Sequence, residues 1–131
     1  MEFNLKPGLT AELSIVVNPE HTAAHLGSGG VAVLATPMLI AIMEGASRNA
    51  VQPHLPEGWT TVGTLVNIRH LAATPVGMRV TARSTLTEVD GRRLVFAVEA
   101  YDEAEKVGEG QHERFIVSSE RFLGKANAKR G

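Results

Sequence analysis

The stretch Thr36–Val51, TPMLIAIMEGASRNAV, decides the fold of this 131-residue chain. A threonine directly before a proline is typical of a helix start, because the hydroxyl can cap a backbone N–H and proline is tolerated at the first helical position. The sequence therefore predicts a helix with Thr36 as its N-cap, ending at about Val51 before Gln52-Pro53. This helix is apolar on nearly every side, so we expect other elements to wrap it.

Strands are predicted on both sides of the helix. Ahead of it, residues 11–17 show the period of two that is typical of a half-buried strand. After it we expect a meander of four strands separated by turn sequences such as Asp90-Gly91. These four strands are predicted over residues 60–73, 78–89, 92–102 and 106–117. Alternating apolar residues in the second and third of them predict one buried sheet face.

Together these elements predict an α+β fold in which a long central helix is wrapped by a curved antiparallel sheet of five to six strands. We expect one domain over residues 1–131, with a polar, frayed tail from about residue 121. The glycine-rich segment His21–Gly30 is predicted to be a mobile loop that acts as a lid.

Composition excludes several classes of function. With 13 basic and 14 acidic residues, the formal net charge is -1, which does not favour nucleic acid or anionic membranes. The chain has no cysteine and no apolar signal-peptide core, and its longest apolar stretch is shorter than the ~20 residues of a membrane span, so we expect a cytoplasmic protein. Histidine spacing typical of a metal site, a P-loop and a G-x-S-x-G elbow are all missing, so neither a metal nor a nucleotide cofactor is predicted.

Glu44 and His70 are candidate functional residues. Glu44 is a carboxylate inside the apolar run Met38–Ala46, and a buried charge is costly unless it is paired or used. Either it forms an ion pair with Arg48 one helical turn later, or it takes part in catalysis. His70 has the strand parity of Val66 and Ile68, and also of Val62 and Thr64, so we expect it to point toward the helix. It is either a hydrogen-bonded core residue or a catalytic base.

Thr36 is either only the helix cap or also a catalytic group at the positive end of the helix dipole. Eight residues of helix separate Thr36 from Glu44 by about 12 Å, too far for a direct hydrogen bond. Two arrangements stay open: His70 bridges the two residues, or the site combines groups from two subunits.

Four segments carry a resemblance to a known family: HTAAHLGSGGVAVLATPMLIAIMEGAS (21–47), VGTLVNIRHLAATPVG (62–77), VDGRRL (89–94) and GQHERFIV (110–117). They resemble the fluoroacetyl-CoA thioesterase-like branch of the hot-dog superfamily. The most specific parts are the spacing of Thr36 and Glu44 and the spacing of Gly63 and His70. The resemblance implies a catalytic set of Thr36, Glu44 and His70, with Gly63 lining the acyl pocket.

The resemblance also implies an acyl-CoA substrate and a homodimer with sites near the subunit interface, with tetramers as an open alternative. The fluoroacetyl enzyme has a longer, aromatic lid, whereas this chain has the small residues Leu26–Val33, which favours a different or broader acyl group. Two rivals to hydrolysis are considered: a hot-dog module that binds a ligand without turnover, and a hot-dog dehydratase or hydratase, whose motifs are missing. Whether Thr36 or Glu44 is a covalent nucleophile, and whether CoA or a carrier protein bears the acyl group, stays open.

Overall fold

The computed structural model describes residues 3–131. The strands are β1 (Thr10–Val16), β2 (Trp59–His70), β3 (Arg79–Asp90), β4 (Arg93–Asp102) and β5 (Lys106–Ser118). The α-helices are α1 (Ala23–Leu26), α2 (Thr36–Val51) and α3 (Ser119–Asn127), and short 3-10 turns cover Pro19–His21, Gln52–His54 and Ala128–Arg130. The predicted α+β plan, one long helix with an antiparallel sheet of five strands, is confirmed.

The strand order in the sheet is β1-β3-β4-β5-β2. Strands β3, β4 and β5 form a meander, but β2 pairs with β5 and not with its sequence neighbour β3, so the prediction of a four-strand meander was wrong for β2. The reason is that both edges of β3 are already taken, one by β1 and one by β4. The chain therefore crosses over between β2 and β3, and β2 forms an outer edge of the sheet.

One face of the sheet is buried, as predicted. Leu86 of β3 and Leu94 and Phe96 of β4 are fully buried on this face, against which α2 packs through contacts mainly with β1 and β3. Helix α2 is covered on one side only. Its buried residues are Leu39, Ile42, Met43, Ala46, Ser47, Ala50 and Val51. Thr36, Pro37, Ala41, Arg48 and Asn49 remain exposed, so residues 3–131 of one chain do not wrap the helix completely.

The prediction that Thr36 caps α2 was wrong. Ala35 occupies the N-cap position and no side chain caps the helix, while Thr36 is the first helical residue with Pro37 behind it. The segment 21–30 contains α1, and backbone pairing of Thr22 with Leu34 closes it into a loop just before α2. The expected tail is helical over Ser119–Asn127, and all of its residues are exposed.

Gly110 tests the register between β5 and β2. It lies opposite Ile68, and a Cβ at this position would overlap the Asn67 carbonyl oxygen and lie 2.9 Å from Ile68 Cα. We expect Gly110→Ala to lower the free energy of unfolding by about 2 kcal/mol or more. The Asn67 and Ile68 atoms that the new Cβ would overlap belong to the backbone of β2, so they can move aside only by disturbing its pairing with β5. Urea denaturation followed by circular dichroism measures the change.

Gly124→Ala is the matched control, because the Cβ at this position in α3 meets open space. It should leave the unfolding midpoint unchanged or raise the free energy of unfolding by up to about 1 kcal/mol, since alanine favours helix over glycine. Equal midpoints for Gly110→Ala and the wild type would contradict the register described above.

Candidate active site

Thr36 and His70 form the first half of the site. Thr36 begins α2 and His70 ends β2, and the chain brings Thr36 Oγ1 within 2.7 Å of His70 Nδ1. The hydroxyl is free for this contact because it does not cap the helix. Two of the three predicted catalytic side chains are therefore in direct hydrogen-bonding contact.

His70 is electrostatically suited to accept a proton. Burial lowers the pKa of its imidazole below the ordinary value, and the nearby Ala72 backbone works against this effect without cancelling it. A neutral imidazole can accept the Thr36 hydroxyl proton at Nδ1. His70 Nε2 is buried and has no hydrogen-bond partner within residues 3–131. Buried nitrogens are rarely left without a hydrogen-bond partner.

A cavity of about 390 Å³ opens beside Thr36 and His70. Small residues make up much of its wall, among them Ala23, Ser28, Val33, Ala72 and Ala73. Ala23 and Ser28 belong to the segment His21–Gly30 that was predicted to be a lid, and Val33 lies between that segment and α2. Ala72 and Ala73 lie two and three residues after His70. The cavity therefore has a mainly small-residue lining next to the only direct contact between the predicted catalytic side chains.

Glu44 lies in the second half of the site, about two turns from Thr36 along α2. Its carboxylate Oε2 is 3.8 Å from Arg114 Nη1, and its side chain is 39% exposed. No ion pair joins it to Arg48, so the helix-surface pairing considered from the sequence is not formed. His70 makes no hydrogen bond to Glu44 within the chain, so it does not bridge Thr36 and Glu44.

Gly63 is pressed against Glu44. A Cβ on Gly63 would lie 2.7 Å from Glu44 Oε2, 3.3 Å from His112 and 3.5 Å from Arg114. A side chain at position 63 would therefore push the Glu44 carboxylate out of place. Glycine at this position keeps the inner face of β2 open beside the carboxylate.

Because β2 contains a β-bulge, the prediction of its inward residues was wrong for two of them. The register with β5 shifts between Gly63 and Leu65, so Thr64 has no opposite residue. Val66, Ile68 and His70 share the inner face as expected, but Val62 and Thr64 do not belong to it. Their place on that face before the bulge is taken by Thr61 and Gly63, which lie opposite the inward residues Ile116 and Arg114.

His112 and Arg114 were missed as site residues. Both are buried on β5 next to Glu44 and Gly63. The Arg114 guanidinium donates to Thr61 Oγ1 through Nε and to the Thr61 carbonyl through Nη2, each at 2.8 Å. Their alternation with Ile116, at positions 112, 114 and 116, is the sequence signal that places them on the inner face.

His112 orients Arg114. Its Nδ1 lies 2.8 Å from the Leu65 carbonyl and must donate to it, which leaves Nε2 to accept from Arg114 Nη1 at 3.2 Å. Burial lowers the pKa of His112, with the nearby guanidinium adding to this effect, so the neutral form required by both contacts is favoured. Burial also lowers the pKa of Arg114, and the charge of Glu44 offsets part of this effect.

No group of three or more His, Cys, Asp or Glu side chains within residues 3–131 is placed to hold a metal ion. Over the same residues, no helix has both the length and the apolar character needed to cross a membrane.

The sequence matches the model of the FlK family, fluoroacetyl-CoA-specific thioesterases, over residues 17–120. It is 34% identical to the fluoroacetyl-CoA thioesterase of Streptantibioticus cattleyicolor, in an alignment that covers 98% of this chain and 97% of that protein.

Solved structures agree with this match. The structure of the fluoroacetyl-CoA thioesterase FlK superimposes with a TM-score of 0.90 at 34% identity, covering 96% of this chain and 98% of that one. A hot-dog-like protein from Thermanaerovibrio acidaminovorans superimposes with a TM-score of 0.87 over 97% of this chain and 94% of its own, and at 24% identity it supports the fold alone. The chain therefore has the hot-dog fold and belongs to the FlK family of fluoroacetyl-CoA-specific thioesterases, which makes it a thioester hydrolase.

Proposed function

We propose that this protein is a cytoplasmic homodimer that hydrolyses small or medium acyl-CoA thioesters to the free acid and CoA. Thr36, Glu44 and His70 are the proposed catalytic residues, and Gly63 lines the acyl pocket. The observation that carries the assignment is the 2.7 Å contact of Thr36 Oγ1 with His70 Nδ1 beside a cavity. A hydroxyl bonded to a neutral histidine is the arrangement that activates an oxygen for attack on an acyl group.

In the proposed reaction, His70 is the general base. It takes the proton either from Thr36 itself or from a water that the Thr36 hydroxyl orients, and the activated oxygen attacks the thioester carbonyl. Collapse of the tetrahedral intermediate breaks the C–S bond, and the imidazolium returns its proton to the leaving CoA thiolate. If Thr36 is the nucleophile, a water then cleaves the acyl-threonine by the same proton route.

Glu44 has two proposed roles that use the same position. Its carboxylate either accepts from the Nε2–H of His70 of the partner subunit and orients that ring, or attacks the thioester carbonyl directly. Direct attack would expel the CoA thiolate and form an acyl anhydride on Glu44, which water then hydrolyses. The backbone N–H of Gly63 and the start of α2 are the proposed donors to the oxyanion. Arg114, held by Thr61 and His112, keeps a positive charge beside Glu44 in either role.

Dimer formation would bring the two halves of the site together. Strand β2 is a 12-residue strand at the outer edge of the sheet, and its central part, residues 63–67, is exposed, including Leu65 and Val66. Long apolar edge strands favour pairing with another chain. Because Thr64 is the extra residue of the bulge, the middle paired position between Gly63 and His70 is Asn67, within the exposed part. Twofold antiparallel pairing centred there would set His70 opposite Gly63 of the partner subunit, beside the partner's Glu44.

The same pairing would cover the exposed side of α2, because the helix lies above β2 in each subunit. Pro37 and Ala41 on that side are apolar or small and have no cover in one chain. The proposed substrate follows from the cavity wall. The wall of this cavity carries small side chains such as Ala23, Val33 and Ala72, whereas the lid of the fluoroacetyl enzyme is aromatic. We therefore propose an acyl group different from or broader than fluoroacetyl.

Removing either member of the Thr36–His70 pair tests the catalytic assignment. We expect Thr36→Val and His70→Asn each to lower kcat/KM by about 10²- to 10⁴-fold, the contribution typical of general acid–base groups. Thiol release from a panel of short, branched, aromatic and long acyl-CoAs measures the rates, and the protein adds no thiol background because it has no cysteine.

Thr87→Val is the control, since this exposed threonine on β3 bonds only to a backbone carbonyl of β4. It should retain wild-type rates. Saturable acyl-CoA binding without thiol release by the wild type would instead favour a binding module.

Mixing two inactive variants tests the two-subunit site. If His70 works with Glu44 of the partner subunit, a dimer of one His70→Asn chain and one Glu44→Gln chain has one intact site and one doubly altered site. After unfolding and refolding of an equal mixture, we expect about a quarter of wild-type activity, because half of the dimers are mixed and each has one of two sites intact. No recovery in mixed dimers isolated by two affinity tags would contradict the shared site.

The pH dependence of hydrolysis tests the role of His70. Because burial lowers its pKa, the base form persists below the pH at which an exposed histidine becomes protonated. We therefore expect kcat/KM to stay high as the pH falls through the ordinary histidine range and to drop only at lower pH. Profiles from pH 4 to 9 at constant ionic strength measure this limb. A midpoint above the ordinary histidine pKa would contradict the assignment of buried His70 as the base.

A further inference from the structure

The segment that follows β2, residues 71–75, forms one wall of the cavity beside the proposed catalytic residues. Its first three residues line the cavity, and Thr74 comes directly after them. Thr74 is fully buried, whereas Ala73 and Pro75 on either side of it are exposed. A buried hydroxyl needs a hydrogen-bond partner, and the position of that partner fixes where the segment lies.

Asp102 is the partner of Thr74. It ends β4, and its Oδ2 accepts a hydrogen bond from Thr74 Oγ1 at 2.9 Å. Its other oxygen, Oδ1, accepts the backbone N–H groups of Ala104 and Glu105 at 2.8 and 2.9 Å. Burial alone would raise the pKa of this carboxyl, but the three hydrogen bonds outweigh burial and lower the pKa below its ordinary value. Asp102 is therefore a carboxylate with both oxygens in hydrogen bonds.

Thr74 also contacts the chain just before α2. Its backbone carbonyl accepts the N–H of Leu34 at 2.8 Å. Leu34 lies two residues before Thr36, and Thr74 lies four residues after His70. The backbone contact of Leu34 with Thr74 and the side-chain contact of Thr36 with His70 therefore join the same two segments of the chain.

The segment 71–75 is attached to the sheet at both ends. At its near end the Leu71 N–H donates to the Val107 carbonyl at 2.8 Å, and toward its far end Thr74 donates to Asp102. Without the second contact the segment is free to shift, and the start of α2 shifts with it. A displacement of about 1 Å can cost about 10²-fold in rate when reacting groups must be aligned.

We propose that Asp102 is a positioning residue for the proposed catalytic pair of Thr36 and His70. Through Thr74 it holds the segment 71–75 and the start of α2 at the separation that the pair requires. Asp102 does not line the cavity, so it acts on the reaction through Thr74 and not through the substrate. The inference rests on the proposed function, because the separation of the pair affects turnover only if the pair is catalytic.

Thr74→Val tests the contact, because it removes the donor with little change of shape. We expect it to lower kcat about ten- to hundredfold and to change KM less than about threefold, since no lining side chain is altered. Thr74→Ser keeps the hydroxyl and should restore most of the turnover. Thiol release from acyl-CoA measures both constants, and circular dichroism checks that each variant is folded. Wild-type kcat in Thr74→Val overturns the proposal.

Asp102→Ala completes a double-mutant cycle, and it carries the same measurements if Thr74→Val does not fold. It should lower kcat as much as Thr74→Val does, and the double variant should be no slower than either single variant. Additive losses would mean that the two residues act independently, which overturns the proposal. Asp90→Ala is the matched control, because this aspartate ends β3 at the preceding hairpin turn and lies 3.8 Å from the Arg93 guanidinium. It should retain wild-type kcat.

Nuclear magnetic resonance of the His70 ring separates positioning from a general loss of stability. The Nδ1 signal reports on the hydrogen bond with Thr36 in the folded protein, and its absence from His70→Asn assigns it. We expect Thr74→Val and Asp102→Ala to move this signal toward its position in Thr36→Val, and Thr74→Ser and Asp90→Ala to leave it unchanged. An unmoved signal in a folded Thr74→Val or Asp102→Ala variant overturns the proposal. If the wild type hydrolyses no acyl-CoA, the proposed function fails, while this signal still decides whether Asp102 fixes the pair.

Discussion

The bulge between Gly63 and Leu65 is the constraint on which the arrangement of the site depends. Seven residues separate Gly63 from His70, and in a regular strand residues an odd number apart point to opposite faces. The extra residue in β2 restores both to the inner face. His70, at the end of β2, can then contact Thr36 at the start of α2, and Gly63 leaves space beside Glu44.

Pairing of β2 with β5 supplies the second constraint. It places Gly63 opposite Arg114, so a buried guanidinium lies beside the only carboxylate of the inner part of α2. Burying a guanidinium is costly, and Thr61 and His112 offset this cost by accepting three of its hydrogen bonds. Such a network fixes the position of the charge, which a mobile surface arginine would not do.

Three features of the single chain are left without a neighbour. An outer strand with exposed Leu65 and Val66, the uncovered side of α2 and the unpartnered Nε2 of His70 each lack a neighbour within residues 3–131. In the proposed homodimer, one contact between the subunits would supply a neighbour for all three.

Much of this protein was determined by local sequence. The bounds of α2, the approximate limits of every strand and the inward direction of His70 follow from apolar periodicity and turn residues, which act over a few neighbouring positions. The residue pattern singled out Thr36, Glu44 and His70 as candidates, whereas the resemblance grouped them into a catalytic set and added Gly63. That set remains a proposal.

Tertiary structure alone decided the rest. The partner strand of β2 depends on which strand edges are already paired with other strands. The apolar periodicity of the sequence does not contain this information. The sequence around Thr64 gives no sign of the bulge. Val62 was therefore assigned to the inner face, which Thr61 and Gly63 occupy instead. Thr36 was predicted to cap its own helix because the cap is a local interaction, yet its hydroxyl bonds to a histidine 34 residues away. Contacts between residues so far apart in the chain exist only once the sheet and helix have packed together.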